Sequence, residues 1–284
     1  MKNAKKILCG LMAVGMIAAL CACGSTPAPT ATDSAAALSG TVSTNGSTSM
    51  EKVIGSLKEQ FMGDNKGVTV SYDATGSGTG IEAVSNGSCD IGLSSRALKD
   101  SETAKGLTGT TIALDGIAII VSADSAVADM SLEEIAAVFT GKTTNWKDLG
   151  GADGQIACIG RESGSGTRDG FESITGTADK CVLSQELTST GAVIEAVKNN
   201  KNAIGYASLS AAEGKDGIKI LTVGGVACTE ASILDGSYAI QRPFLLVTKA
   251  DATLSPQAKA FFDFACSKDA ADLITAAGAV PTAK

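Results

Sequence analysis

The sequence contains no histidine. That excludes Ser-His-Asp and Cys-His nucleophilic sites and every histidine-ligated metal site. It also lacks the nucleotide-binding pattern G-x-x-x-x-G-K-[ST], because none of its glycine-rich loops supplies the Gly-Lys pair. Gly76-Ser-Gly78-Thr-Gly80 has the wrong spacing for a dinucleotide fingerprint, and no G-x-S-x-G elbow is present in these loops. Long hydrophobic runs are equally scarce. The one run, Ile7 to Leu20, follows Lys2, Lys5 and Lys6 and is too short to span a bilayer. It reads as a signal peptide over residues 1–22. Basic charge is in the minority, and the formal net charge is −7. Removing residues 1–22 takes away those three lysines and no acid, which leaves −10 on 262 residues. A body this acidic argues against nucleic acid or an anionic membrane surface as the main partner.

After the signal segment the cysteines are Cys23, Cys89, Cys158, Cys181, Cys228 and Cys266. They form no CxxC pair and no regular spacing. Isolated buried thiols are expected rather than a disulfide framework. Residues 23–38 read as a flexible tether. Gly24 to Ala37 is rich in Pro, Thr, Ser and Ala without apolar period, and such a coil reaches about 20 Å.

From Leu38 onward, short β-like runs alternate with helical patterns, the mark of an α/β protein. Strands are expected at residues 68–72, 90–93, 117–121, 155–160, 203–206 and 244–247. Helices are expected where Met50, Val53, Ile54, Leu57 and Phe61 share a face, after Thr79, after Ser131, over 192–198 and after Ser255-Pro256. Thr48/Glu51, Thr79/Glu82 and Ser131/Glu134 each fit a capping box.

Three loops share one design, in which a strand is followed by small hydroxyl and glycine residues and then a helix start. They are Asn45 to Ser49, Thr75 to Gly80, and Ser163 to Thr167. Helix starts offer unpaired amides at a positive dipole end. Arg161 or Arg168 adds a planar cation suited to an oxyanion. Together they point to a small multivalent anion as ligand. Trp146 is expected to pack below the Thr140-Gly-Lys142 loop, and Lys142 and Lys147 to be surface charges. Asp73, Asp90 and Glu162 are candidates to accept a ligand proton or to pair with Arg161.

The motifs Gly46-Ser-Thr-Ser49, Gly76-Ser-Gly-Thr-Gly80, Asp90-Ile-Gly-Leu-Ser-Ser-Arg96, Phe139-Thr-Gly-Lys-Thr-Thr-Asn-Trp146, Arg161 to Thr167, Ala203-Ile-Gly-Tyr206 and Arg242-Pro243 resemble those of PstS-type substrate-binding lipoproteins of phosphate ABC transporters. The likeness runs from about Ser39 to the C-terminus. It implies a two-lobe periplasmic-binding-protein-like (type II) fold with two crossovers and a ligand cleft between the lobes. One lobe would hold residues 39–114 plus 241–284 and the other residues 115–240. It implies phosphate contacts from Thr48, Ser49, Ser77, Arg161, Ser165, Gly166 and Thr167. Ser95 stands where many members carry a proton-accepting aspartate. Leu20-Cys-Ala-Cys23 resembles a lipobox, which implies cleavage before Cys23 and a lipid anchor on its sulfur at the extracytoplasmic face of the cell membrane.

The implied function is capture of inorganic phosphate and delivery to the permease subunits, without catalysis, cofactor or metal. Alternatives are a receptor for sulfate or molybdate, which Ser95 motivates, a surface adhesion lipoprotein, and an enzyme acting on phosphate esters. The last would have an oxyanion cradle but no histidine base.

Overall fold

The computed structural model describes residues 37–283, which lie in one compact unit, Ala37–Lys284. The expected signal peptide, Cys23 and the tether up to residue 36 lie outside the described residues. Strand β1 (Ser39–Gly46) leads through a 3-10 turn (Thr48–Met50) into α1 (Glu51–Asp64), then β2 (Gly67–Ala74), α2 (Ser77–Ser85), β3 (Ile91–Ser94) and α3 (Asp100–Thr103). The long β4 (Leu107–Ser122) follows, then β5 (Asp129–Met130), α4 (Leu132–Phe139), β6 (Ala157–Arg161), α5 (Gly166–Thr175), β7 (Gln185–Leu187) and α6 (Thr190–Lys198). Next come β8 (Ala203–Ser208), α7 (Leu209–Ala212), β9 (Ile218–Ile220), β10 (Thr222–Val223), α8 (Glu230–Leu234), β11 (Gln241–Lys249), α9 (Pro256–Ala265), α10 (Ala271–Ala276) and β12 (Val280–Pro281).

The main sheet runs in the order β2-β1-β3-β11-β4-β8-β6-β7. β1 lies parallel to both β2 and β3, and β6 lies parallel to β7 and β8. β4 joins the two parallel groups. Its first part pairs antiparallel with β11 and β12, and its last residues, Ile117 to Ser122, pair antiparallel with β8 and β9. Two large hydrophobic cores flank this crossing. One gathers Val42, Ile54, Leu57, Phe61, Ile112, Phe244 and Phe261. The other gathers Ile119, Phe139, Ile159, Phe171, Val193 and Tyr206. The continuous apolar stretch from Ile117 to Val121, fully buried, suits a strand covered on both faces. This is the two-lobe α/β architecture that the resemblance implied. The sixteen residues of β4 exceed the expected strand at 117–121, because its earlier part, Leu107 to Gly116, alternates too weakly to announce itself.

The helix starts divide. Ser131 and Glu134 form the expected capping box of α4, and Ser255 with Pro256 opens α9 as expected. The other two boxes do not form. Helix α1 begins after a 3-10 turn capped by Ser47, and α2 begins at Ser77 behind Gly76 with no side-chain cap. In the first case the Thr48 hydroxyl is drawn away by Arg161. In the second the helix begins two residues before Thr79. Trp146 packs in the second core and donates its Nε1–H to the Asn202 carbonyl at 2.9 Å. Lys142 and Lys147 are exposed.

The five described cysteines, Cys89, Cys158, Cys181, Cys228 and Cys266, are all free. Burial pushes every one of these thiols up, to about 12 for Cys158 and Cys228 and about 11 for the others. The thiolate is the reactive form, so a raised thiol holds less of it at any pH below its own value. Mass-spectrometric alkylation mapping at about pH 8 is expected to label Cys158 and Cys228 at least about tenfold more slowly in the folded protein than after denaturation. Equal rates would mean that these thiols are not buried.

Candidate functional site

The carboxyl ends of β1, β3 and β6 point to one place, where helices begin, as ligand sites in open α/β sheets do. The loop after β1 is tightly made. Gly46 sits at φ +144°, and a Cβ there would lie 2.1 Å from the Leu93 carbonyl oxygen, so only glycine lets β1 pass β3 at this distance. Ser47 N–H donates to that same oxygen at 2.9 Å. The Tyr72 hydroxyl donates to the Ser47 carbonyl at 2.6 Å. Ser47, Thr48 and Ser49 are thereby fixed and buried.

The loop after β6 faces it. Ser165 caps α5 by accepting from Arg168 N–H. The Gly78 amide donates to the Gly164 carbonyl at 2.9 Å, joining the second and third loops. Gly166 lies against Ser77 and Ser95. A Cβ on it would come within 2.3 Å of Ser77 Oγ and 2.7 Å of Ser95 Oγ.

Thr48, Ser49, Ser77, Ser95, Arg161, Ser165, Gly166 and Thr167 are brought together, and all are buried. Ser49 Oγ lies 2.7 Å from Thr167 Oγ1, and Thr48 Oγ1 lies 3.0 Å from Thr190 Oγ1. Arg161 is 2 % exposed. Its Nη1 donates to Thr48 Oγ1 at 2.9 Å and to Thr190 Oγ1 at 3.2 Å. Glu162 balances it from the side, at 2.8 Å from Nη2 and 3.0 Å from Nε. Of the carboxylates weighed for this role, Glu162 is the one that pairs with Arg161. Asp90 instead accepts from the backbone and hydroxyl of Ser43, and Asp73 is exposed.

The other arginines serve different ends. Arg168 turns to Glu172 and Glu186 and donates to the Arg161 carbonyl, so it braces the strand end rather than facing the cluster. Arg96 is held by a fork on Glu102 and by the Ala97 carbonyl. Its Nε lies 2.9 Å from Asp169 Oδ2, an ion pair whose angle does not make a hydrogen bond. This pair and Lys99–Asp169 at 3.0 Å tie the start of α3 to α5. The Arg96 fork also holds the Glu102 carboxyl below its ordinary range.

Three contributors escaped the sequence reading. Thr190, at the start of α6, shares Arg161 with Thr48. Arg242 and Asp115 form a buried ion pair at 3.0 Å across the β11–β4 register. Arg242-Pro243 was visible as a motif, but a single arginine inside a strand carries no signal of direction. Among the described residues no group of three His, Cys, Asp or Glu side chains is placed to hold a metal ion.

A two-lobe sheet whose strand ends close on one cluster of hydroxyls and a buried guanidinium defines a substrate-binding protein of the periplasmic-binding class. A PBP superfamily domain matches residues 31–269. The phosphate-binding protein PstS of Bacillus subtilis (strain 168) is 33% identical over 99% of this chain and 95% of its own length. A structure from Clostridium perfringens, described as a phosphate ABC transporter substrate-binding protein with bound phosphate, is 38% identical. It superposes with a TM-score of 0.82 and covers 86% of this chain and 100% of its own. An ABC-type phosphate transport receptor from Vibrio cholerae is 30% identical with a TM-score of 0.68, over 84% of this chain and 99% of its own. The chain belongs to the PstS family of phosphate-binding proteins within the PBP superfamily.

The approach of β1 to β3 gives a direct test. Gly46→Ala combines a left-handed backbone with a collision against backbone and is expected to destabilise by at least about 2 kcal/mol. The melting temperature should fall by roughly 4–8 °C. An unchanged melting curve by circular dichroism would refute the close approach.

Proposed function

We propose that this protein captures inorganic phosphate outside the cytoplasm and delivers it to the permease subunits of an ABC transporter. The observation that carries this reading is one buried cluster of Ser and Thr hydroxyls from three strand-end loops, which includes Thr48 and with it Arg161, a cation inside an acidic protein. Each hydroxyl–hydroxyl contact in the cluster can be exchanged for a hydrogen bond to a phosphate oxygen. Arg161 supplies the charge, and the starts of α2 and α5 add amides at positive dipole ends. The ligand set is Thr48, Ser49, Ser77, Ser95, Arg161, Ser165, Gly166 and Thr167, joined by Thr190.

The lobes comprise residues 39–114 plus 241–284 and residues 115–240. In the unbound protein they part, each carrying half of the cluster, and the anion bridges them on closure. Closure removes water and strengthens the charge-assisted bonds. The protein works by binding alone. It has no histidine base, and the cluster needs no metal or cofactor to hold an anion. Residues 1–22 direct export, and a lipid on Cys23 keeps the receptor at the membrane, where residues 24–38 tether it beside the permease. This anchor rests on the Leu20-Cys-Ala-Cys23 pattern.

Isothermal titration calorimetry of ligand-stripped protein with phosphate is the test. One-to-one binding at micromolar affinity, about −8 kcal/mol, is expected. Arg161→Ala should weaken it by at least about tenfold, because a buried charged partner is lost. Ser165→Ala should cost less, since the backbone amides of α5 remain. Unchanged affinity in Arg161→Ala would remove Arg161 from the site, and no heat with phosphate would overturn the reading.

A further inference from the structure

We propose that Arg96, Lys99 and Asp169 form an ionic clasp between the lobes, which holds α5 against the first lobe and slows the release of bound phosphate. The inference rests on the phosphate-site reading above, with its parting lobes, and deepens it. Arg96 follows Ser95 in the chain, yet its guanidinium is taken up by Ala97, Glu102 and Asp169 rather than by the hydroxyl cluster.

Glu102 anchors the first-lobe half of the clasp. Its carboxylate takes the Arg96 fork at 2.7 and 2.8 Å and accepts from the Lys99 amide at 2.8 Å. Two cations are thus fixed beside one carboxylate, which leaves one positive charge over. Asp169, in the first turn of α5, supplies the missing negative charge from the other lobe. Arg96 Nε lies 2.9 Å and Lys99 Nζ 3.0 Å from the same oxygen, Oδ2, which is shielded from solvent. Burial works against the charge on Arg96, but Glu102 and Asp169 together hold its guanidinium above its ordinary value.

Helix α5 depends on the clasp because it packs chiefly on α4, β6 and β8, all of its own lobe. Toward the first lobe it faces a groove of about 540 Å³, lined by Arg96, Lys99, Asp169, Ile174, Gln241 and Pro243. The groove runs from the clasp to the start of β11, so no apolar wall holds the lobes together there. The start of α5 carries Ser165, Gly166 and Thr167, and its seat against the first lobe decides whether the two halves of the site meet. Exposed ion pairs contribute little. Here Arg96 is buried, and the opposite charges meet only when the lobes are together. An interaction made in one of two states shifts the balance toward that state. Arg96 and Lys99 are positioning residues, acting on phosphate through Asp169 and α5.

The direction of the effect separates a clasp from a plain electric field. Asp169 is an anion on the helix that receives an anion, so loss of its charge alone would tighten phosphate. Loss of the clasp weakens it.

Calorimetry, phosphorus NMR line shapes and small-angle X-ray scattering, on ligand-stripped protein titrated with inorganic phosphate, test this. The wild type is expected to contract on binding. Asp169→Asn should weaken phosphate by at least about threefold, with the loss in the dissociation rate and the association rate within about twofold of wild type. Lys99→Gln should weaken it by about twofold, and that effect should vanish in the Asp169→Asn background. Unchanged or tighter binding in Asp169→Asn overturns the clasp and leaves the phosphate reading standing. An equal Lys99→Gln effect in both backgrounds, or a loss confined to the association rate, overturns it as well. A wild type that binds without contracting removes the parting lobes, and the clasp with them. Silence of the wild type with phosphate overturns the phosphate reading itself. Lys99 is exposed, so if Asp169→Asn does not fold, Lys99→Gln decides by whether its loss lies in dissociation.

Discussion

A guanidinium taken almost wholly out of water must be surrounded by oxygen, and Arg161 imposes that demand on the whole molecule. An isolated buried charge costs several kcal/mol. The fold meets the cost with Glu162, the carbonyls of Leu187 and Thr188, and the hydroxyls of Thr48 and Thr190. Those partners come from separate stretches of chain. Thr48 lies more than a hundred residues from Arg161, so the cation draws the loop after β1 toward the end of β6. The Tyr206 hydroxyl, which receives the Arg161 amide at 3.1 Å, completes the brace. Burial favours its neutral form by pushing that hydroxyl up.

The second buried cation is handled differently. Arg242 faces Asp115 on the adjacent strand, where the β11–β4 register places them opposite each other. Cross-strand pairs of opposite charge stabilise a sheet modestly at a surface. In this interior the stronger effect is geometric, because a planar fork on a fixed carboxylate has one orientation. The site thus draws on a cation at the end of a strand and another within one. The acidic surface elsewhere leaves the positive potential local, where it attracts an anion without making the whole protein bind polyanions.

Much of this was legible in the sequence. Apolar period found most strands and the helices α1, α4, α6 and α9, since buried faces write themselves into residue spacing. Small hydroxyl and glycine residues before helix starts found the three loops, and the family resemblance picked Arg161 from the two arginines that flank the third. What escaped depends on distance in space. Thr48 suited a capping box locally, yet a buried guanidinium competes better for its oxygen than its own helix does. Arg168, seven residues from Arg161 across one loop, looked equivalent to it, but Glu172 one helical turn on and Glu186 claim it. Asp115 sits in a strand among apolar residues and pairs with a residue 127 positions later, a relation that no local pattern contains.

The place of β11 in the sheet has a consequence for how the molecule is made. It lies between β3 and β4, although more than a hundred residues separate it from either. The core around Val42, Ile54 and Phe61 also takes Phe244, Leu246, Phe261 and Ile274 from the same late segment. Until that segment arrives, β3 and the first part of β4 have open edges and the early core lacks part of its wall. Non-local closure of this kind is slow and is completed only when nearly all of the chain is present. This topology delays the final fold until almost the last turn of helix is available to pack, so the chain stays open for nearly the whole time it is being made.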